Sequence, residues 1–102
     1  MNDLAAGVAR AGVPPARLPE RLTLEVAAAT LAQLQQGLAG TPAGDFVLDA
    51  GELRDFDSSA VAVLLELRRE SQRHGRALRL VNGPARLRDL IALYGVAELL
   101  PA

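Results

Sequence analysis

The chain has 102 residues, half of them hydrophobic, with a formal net charge of -1 and no cysteine. That describes one compact domain, whose core must be aliphatic because aromatics make up only 3 %. Disulfides, thiol catalysis and ordinary zinc sites are excluded by the lack of Cys and the single His, His74.

The eleven basic residues, all Arg, are scattered and balanced by twelve acids, so no nucleic-acid partner is expected. Charged residues at 23 % sit near the globular average, which argues against disorder. The longest apolar run, Ala60 to Leu65, is far short of a membrane span, so no direct membrane insertion is expected. The N-terminus lacks both the basic start and the apolar stretch of a signal peptide, and the expected location is the cytoplasm.

Residues 1–15 read as a flexible lead-in or edge strand, and residues 16–102 as the domain itself. Pro14-Pro15 holds the chain extended before a strand over 16–22, which Pro19 places near a sheet edge. Thr23 is the expected N-cap of a first helix with Leu24, Ala27, Ala28, Leu31, Leu34 and Leu38 on its apolar stripe. Gly37, Gly40 and Thr41-Pro42 end it. Phe46 to Ala50 is a short apolar strand, and 51–57 an irregular connection anchored by Leu53 and Phe56.

A second helix runs from Ser58 to about His74, where Gly75 stops it by taking a left-handed conformation. His74 suits that cationic, dipole-facing end and needs no other role. Ala77 to Val81 is a strand with Leu78 and Leu80 inward. Asn82-Gly83-Pro84 turns into a third helix with Leu87, Leu90, Ile91 and Tyr94, stopped by Gly95, and Val96 to Leu100 packs back as a tail. Leu48, Val61, Leu64, Leu65, Leu80, Leu90 and Ile91 form the expected core. Alternating strands and helices imply an α/β fold with a largely parallel sheet and right-handed crossovers.

The candidate chemistry is thin. Gly37 to Gly44 follows a helix and lacks the Lys and Ser/Thr of a phosphate loop. Asp45, Asp49, Glu52, Asp55 and Asp57 cluster in sequence, but no His or Lys converges with them, and Asp in turns serves local hydrogen bonds. Phe56-Asp57-Ser58-Ser59-Ala60-Val61 is more informative, because it opens an apolar helix with two hydroxyls. Asp57 or Ser58 would cap the free amides there, and a phosphate on Ser58 would be tolerated by the helix terminus.

Val47-Leu48-Asp49, the connection, Phe56-Asp57-Ser58-Ser59, an aliphatic helix, Gly75, a strand and a last helix ending Leu93-Tyr94-Gly95-Val96 together resemble a STAS domain. That is the fold of anti-sigma factor antagonists and of the cytoplasmic tails of sulfate transporters. The resemblance covers residues 16–101, and implies a small mixed, largely parallel sheet with helices mainly on one face. The run Leu90 to Pro101, and Leu18 to Thr23 leading directly into a helix, are most similar to one branch. It is the small STAS (MlaB-like) subunit of the phospholipid ABC transporter that maintains outer-membrane lipid asymmetry.

This resemblance implies a subunit with no enzymatic activity, cofactor or metal. It would bind the transporter's cytoplasmic ATPase and support its assembly and activity, sitting at the inner membrane only through that complex. Ser58 occupies the position where a Thr or Ser contributes to the contact, with Asp57 and Ser59 beside it. The alternative it implies is an anti-sigma factor antagonist whose Ser58 is phosphorylated by an anti-sigma factor kinase. Phosphorylated antagonists usually carry Gly after the two serines. Here Ala60 stands there, and its methyl is expected to hinder a kinase backbone.

Overall fold

A computed structural model describes residues 16–40 and 44–100, so the expected lead-in over 1–15 and the Thr41-Pro42 stop lie outside the described residues. The elements, in order, are β1 (Ala16–Arg17), β2 (Arg21–Leu22), α1 (Leu24–Gly40), β3 (Phe46–Asp49), β4 (Asp55–Phe56), α2 (Ser58–Arg73), β5 (Leu78–Val81) and α3 (Ala85–Leu93). The fold is α/β, with every described strand pair parallel.

The strand expected over 16–22 is two short strands with different partners. Leu18-Pro19-Glu20 interrupts it, because Pro has no N–H to give a ladder. β1 pairs with β3 (Ala16 opposite Leu48) in a three-stranded sheet of order β1-β3-β5. β2 pairs instead with β4 (Leu22 opposite Phe56) in a two-stranded sheet. The connection expected to be irregular therefore contains β4, which the Arg54 and Asp55 amides reach by donating to Glu20 O at 2.8 and 3.0 Å.

Burial alternates along the central strand. Phe46 and Leu48 are buried and Val47 and Asp49 are half-buried, so the helices cover one face. Leu80, paired with Leu48, continues that buried face on β5. Of the expected core, Leu48, Val61, Leu64, Leu80 and Ile91 are buried, whereas Leu65 and Leu90 are only partly covered. Val63 and Leu67 are buried as well, since α2 packs against the sheet on one side and α1 on another.

The stripe expected on α1 holds apart from Leu24 and Ala28, since Ala27 and Leu31 also pack against the core. Thr30, Leu34 and Leu38 are buried and Leu24 and Ala28 are exposed. The helix also passes through Gly37 without stopping there. Its far end is held by Arg76, whose Nε donates to Gly44 O at 2.7 Å and whose Nη1 donates to Leu38 O at 2.9 Å.

The stops of α2 and α3 share one geometry. Arg76 N donates to Ser71 O and Gly75 N to Gln72 O; Val96 N donates to Ile91 O and Gly95 N to Ala92 O. Both are Schellman closures, which require the positive φ of 69° at Gly75 and 72° at Gly95. His74 is the exposed C-cap of α2. The second closure turns the chain back so that Leu100 is buried and Val96 packs on the core, as expected of the tail. It also leaves Leu93 and Tyr94 on the surface, 78 % and 55 % exposed.

Candidate partner-docking site

The parallel β3 and β4 bring the chain to the start of α2, where Asp57, Ser58 and Ser59 lie together. Asp57 is the N-cap, in extended backbone, and its Oδ1 accepts from Ser59 N at 2.8 Å. Its Oδ2 accepts from Leu24 N, the first residue of α1, at 3.3 Å. One carboxylate thus serves the positive ends of two helices.

Thr23 does not cap α1. Its Oγ1 is buried without a hydrogen-bond partner, and the cap arrives from 33 residues downstream. Nothing local in the sequence signals that a residue on one helix start will also serve another.

These amide donors determine the charge on Asp57. The Ser59 amide chiefly, with the Ser59 hydroxyl and Leu24 amide, holds its carboxyl below the ordinary 3.8 against a smaller opposing effect of desolvation. A carboxyl lowered on folding contributes stability that is present above its unfolded value and is lost as pH falls through the folded one. Melting temperature is therefore expected to drop as pH falls below about 4. Asp57→Asn, which keeps a carbonyl acceptor but no charge, should flatten that acid limb in scanning calorimetry between neutral pH and pH 3. An unchanged limb would contradict the assignment. Asp49, lowered chiefly by the Gly51 amide and then by Asn82, accounts for a residual slope.

The acids close in sequence do not form a catalytic cluster. Asp45 faces Arg79, Glu52 faces Arg17 and Asp55 faces Arg21, each in an exposed pair. Asp49 accepts from Gly51 N at 2.8 Å and from Asn82 Nδ2 at 3.1 Å, a local turn bond. Among the described residues no group of three His, Cys, Asp or Glu is placed to hold a metal ion.

Ser58 differs from its neighbours. Asp57 performs the capping, so the Ser58 side chain is exposed and its hydroxyl makes no hydrogen bond among the described residues. It stands where two grooves meet. One is lined by Ser58, Val61, Ala62, Leu65, Tyr94 and Val96. The other runs past Phe56, Asp57, Arg86, Leu93 and Tyr94. A third depression, lined by Leu31, Ala62 and Val63 among others, reaches Leu24, itself 76 % exposed. Ser59 lines that depression, so the two serines look onto different sides of the helix. Large exposed apolar residues gathered round one helix start are the kind of surface that marks an interaction site.

Two arginines shape the surroundings, and sequence reading assigned neither a role. Arg86 lies 4.3 Å above the Phe56 ring and donates to Phe56 O at 3.0 Å, fixing the strand that precedes Asp57. Arg76 likewise lies over a ring, that of Phe46, at 5.7 Å. Ala60 is wholly buried, so its methyl turns into the core. The methyl expected to hinder a kinase backbone is therefore not on the surface around Ser58.

With this geometry in place, the comparison with known families is decisive. A family model described as Mlab, STAS domain matches residues 7–101. The chain belongs to the STAS-domain family. No curated protein matches it significantly. In this STAS domain, no helix among the described residues is long and apolar enough to cross a membrane. The residues singled out from the sequence, Asp57, Ser58 and Ser59, are contiguous with the exposed apolar surface, but in different capacities: Asp57 ties two helix starts together, while Ser58 is the free group.

Proposed function

We propose that this STAS domain is a non-catalytic cytoplasmic subunit that docks on the ATPase of a phospholipid-transport ABC system, the kind that maintains outer-membrane lipid asymmetry. It would sit at the inner membrane only through that partner. The observation that supports this best is the uncommitted, exposed Ser58, which shares a groove with exposed Leu93 and Tyr94, with exposed Leu24 on the other side of α2. The Mlab description of the matching family supports the branch of STAS domains on which this reading rests.

In this reading the domain supplies surface and no chemistry. Leu24, Leu93 and Tyr94 exchange water for apolar contact, and Ser58 offers one hydroxyl at the centre of the contact. Asp57 joins the starts of α1 and α2, so that the two sides of the surface stay aligned.

A second reading uses the same serine. Because the Ala60 methyl points inward, Ser58 is as accessible to a kinase as to an ATPase, which suits an anti-sigma factor antagonist. Size-exclusion chromatography of the domain mixed with each candidate partner separates them. Co-elution with the transporter ATPase, with no phosphate transferred to Ser58 by an anti-sigma factor kinase, is the expected result. Phosphorylation of Ser58 without ATPase binding would replace the proposal by the second reading.

A further inference from the structure

The groove running from Asp57 to Asp89 carries a charge that the domain leaves unanswered. Asp89 lies on the exposed side of α3 and lines this groove. It has no ion pair or hydrogen bond among the described residues. Its natural partner is Arg86, one turn earlier on the same helix. However, Arg86 is laid over the Phe56 ring and donates to Phe56 O and Arg54 O at 3.0 and 3.4 Å.

Among the described residues the other carboxylate, Asp57, accepts only from amides and from the neighbouring hydroxyl, with no arginine within salt-bridge reach. The contrast with nearby acids is plain. Glu25 and Asp55 share Arg21, Glu20 faces Arg54, and Glu52 faces Arg17. Two carboxylates against one diverted guanidinium leave the groove negative by one, beside exposed Leu93 and Tyr94.

We propose that this groove receives a cationic side chain, arginine or lysine, carried on an apolar-faced segment of the docking partner. The apolar part of that segment covers Leu93 and Tyr94, and the cation reaches Asp89 and the outer side of Asp57. The inference rests on the docking reading above and adds the partner's chemistry to it. Charge at such a rim sets association rate and orientation more than total affinity, so its signature is salt dependence.

Two synthetic amphipathic helical peptides with the same leucine face provide the probe, one with Arg and one with Glu on its polar face. In amide-resonance titrations the Arg peptide should shift Ser58, Asp89, Leu93 and Tyr94, and added salt should weaken it. Asp89→Asn removes one charge from an exposed, unbonded position and should weaken the Arg peptide about fivefold while leaving the fold intact. Equal binding of the Glu peptide, no binding of either, or no effect of Asp89→Asn would overturn the proposal. The ATPase arm tells the two ideas apart. Loss of ATPase affinity in Asp89→Asn supports both. Arg-peptide binding that depends on Asp89, with ATPase binding unaffected by it, keeps the cation site and overturns its assignment to the ATPase.

Discussion

Leu64→Ala should lower the unfolding free energy by about 2–5 kcal/mol, the cost of losing buried methylenes plus the cavity they leave. Leu64 is fully buried on the central helix, α2, in the core cluster that also contains Leu48 and Leu80. A domain of this size has roughly 5–15 kcal/mol in all, so the variant loses a large part of its margin. Its melting temperature should fall by on the order of 8–40 °C, at about 4–8 °C per kcal/mol. Urea unfolding of both proteins, followed by far-ultraviolet circular dichroism, measures the difference. A change under about 1 kcal/mol would mean that α2 does not seat this residue against the sheet. Leu93→Ala is the matched control. Leu93 is 78 % exposed, and its truncation should stay within about 0.5 kcal/mol of wild type.

The parts of the fold visible in the sequence are those set by local chemistry. Gly75 and Gly95 stop their helices because only glycine takes a positive φ without strain, and both do so in the structure. The strands Phe46–Asp49 and Leu78–Val81 stand out because apolar bursts between turn-formers have few other uses. What could not be read is set by partners distant in sequence. Arg21–Leu22 and Asp55–Phe56 are two residues each, too short for any periodicity, and become strands only by pairing with one another. Leu24 and Ala28 are apolar at helical spacing yet lie on the surface of α1, a distinction set by tertiary context and invisible to spacing.

The site divides in the same way. Asp57, Ser58 and Ser59 were identifiable as a group, since polar residues opening an apolar helix have a capping role. Their division of labour was not, because it depends on the Asp57 carboxylate reaching Leu24 N across 33 residues. Leu93 and Tyr94 looked like a helix end in the sequence. They become part of the surface only because the Gly95 closure folds the tail inward and leaves them outside. Arg86 and Arg76 carried no signal at all, as an arginine laid over a phenylalanine has no characteristic spacing.

Ser58→Glu should leave folding intact and sharply weaken binding to the ATPase. The new carboxylate sits in the first turn of a 16-residue helix, where the helix dipole favours negative charge. Ser58 is exposed and makes no hydrogen bond among the described residues, so no buried contact is lost. At the docking surface the balance reverses, because Ser58 also lines the apolar groove of Val61, Ala62, Leu65, Tyr94 and Val96, where the larger, charged side chain would be desolvated under the partner's apolar face while the partner's cation is seated on Asp89. Truncating or unpairing a buried interfacial charge costs about 2–5 kcal/mol, a loss of some thirtyfold to several thousandfold in affinity. The direct measurement is a paired one on the same preparation: thermal melting of the isolated domain, and isothermal titration of it into the transporter ATPase. A variant that melts like wild type and binds at least thirtyfold more weakly is the predicted result. A variant that melts normally and still binds as tightly as wild type would contradict the placement of Ser58 at the centre of the interface.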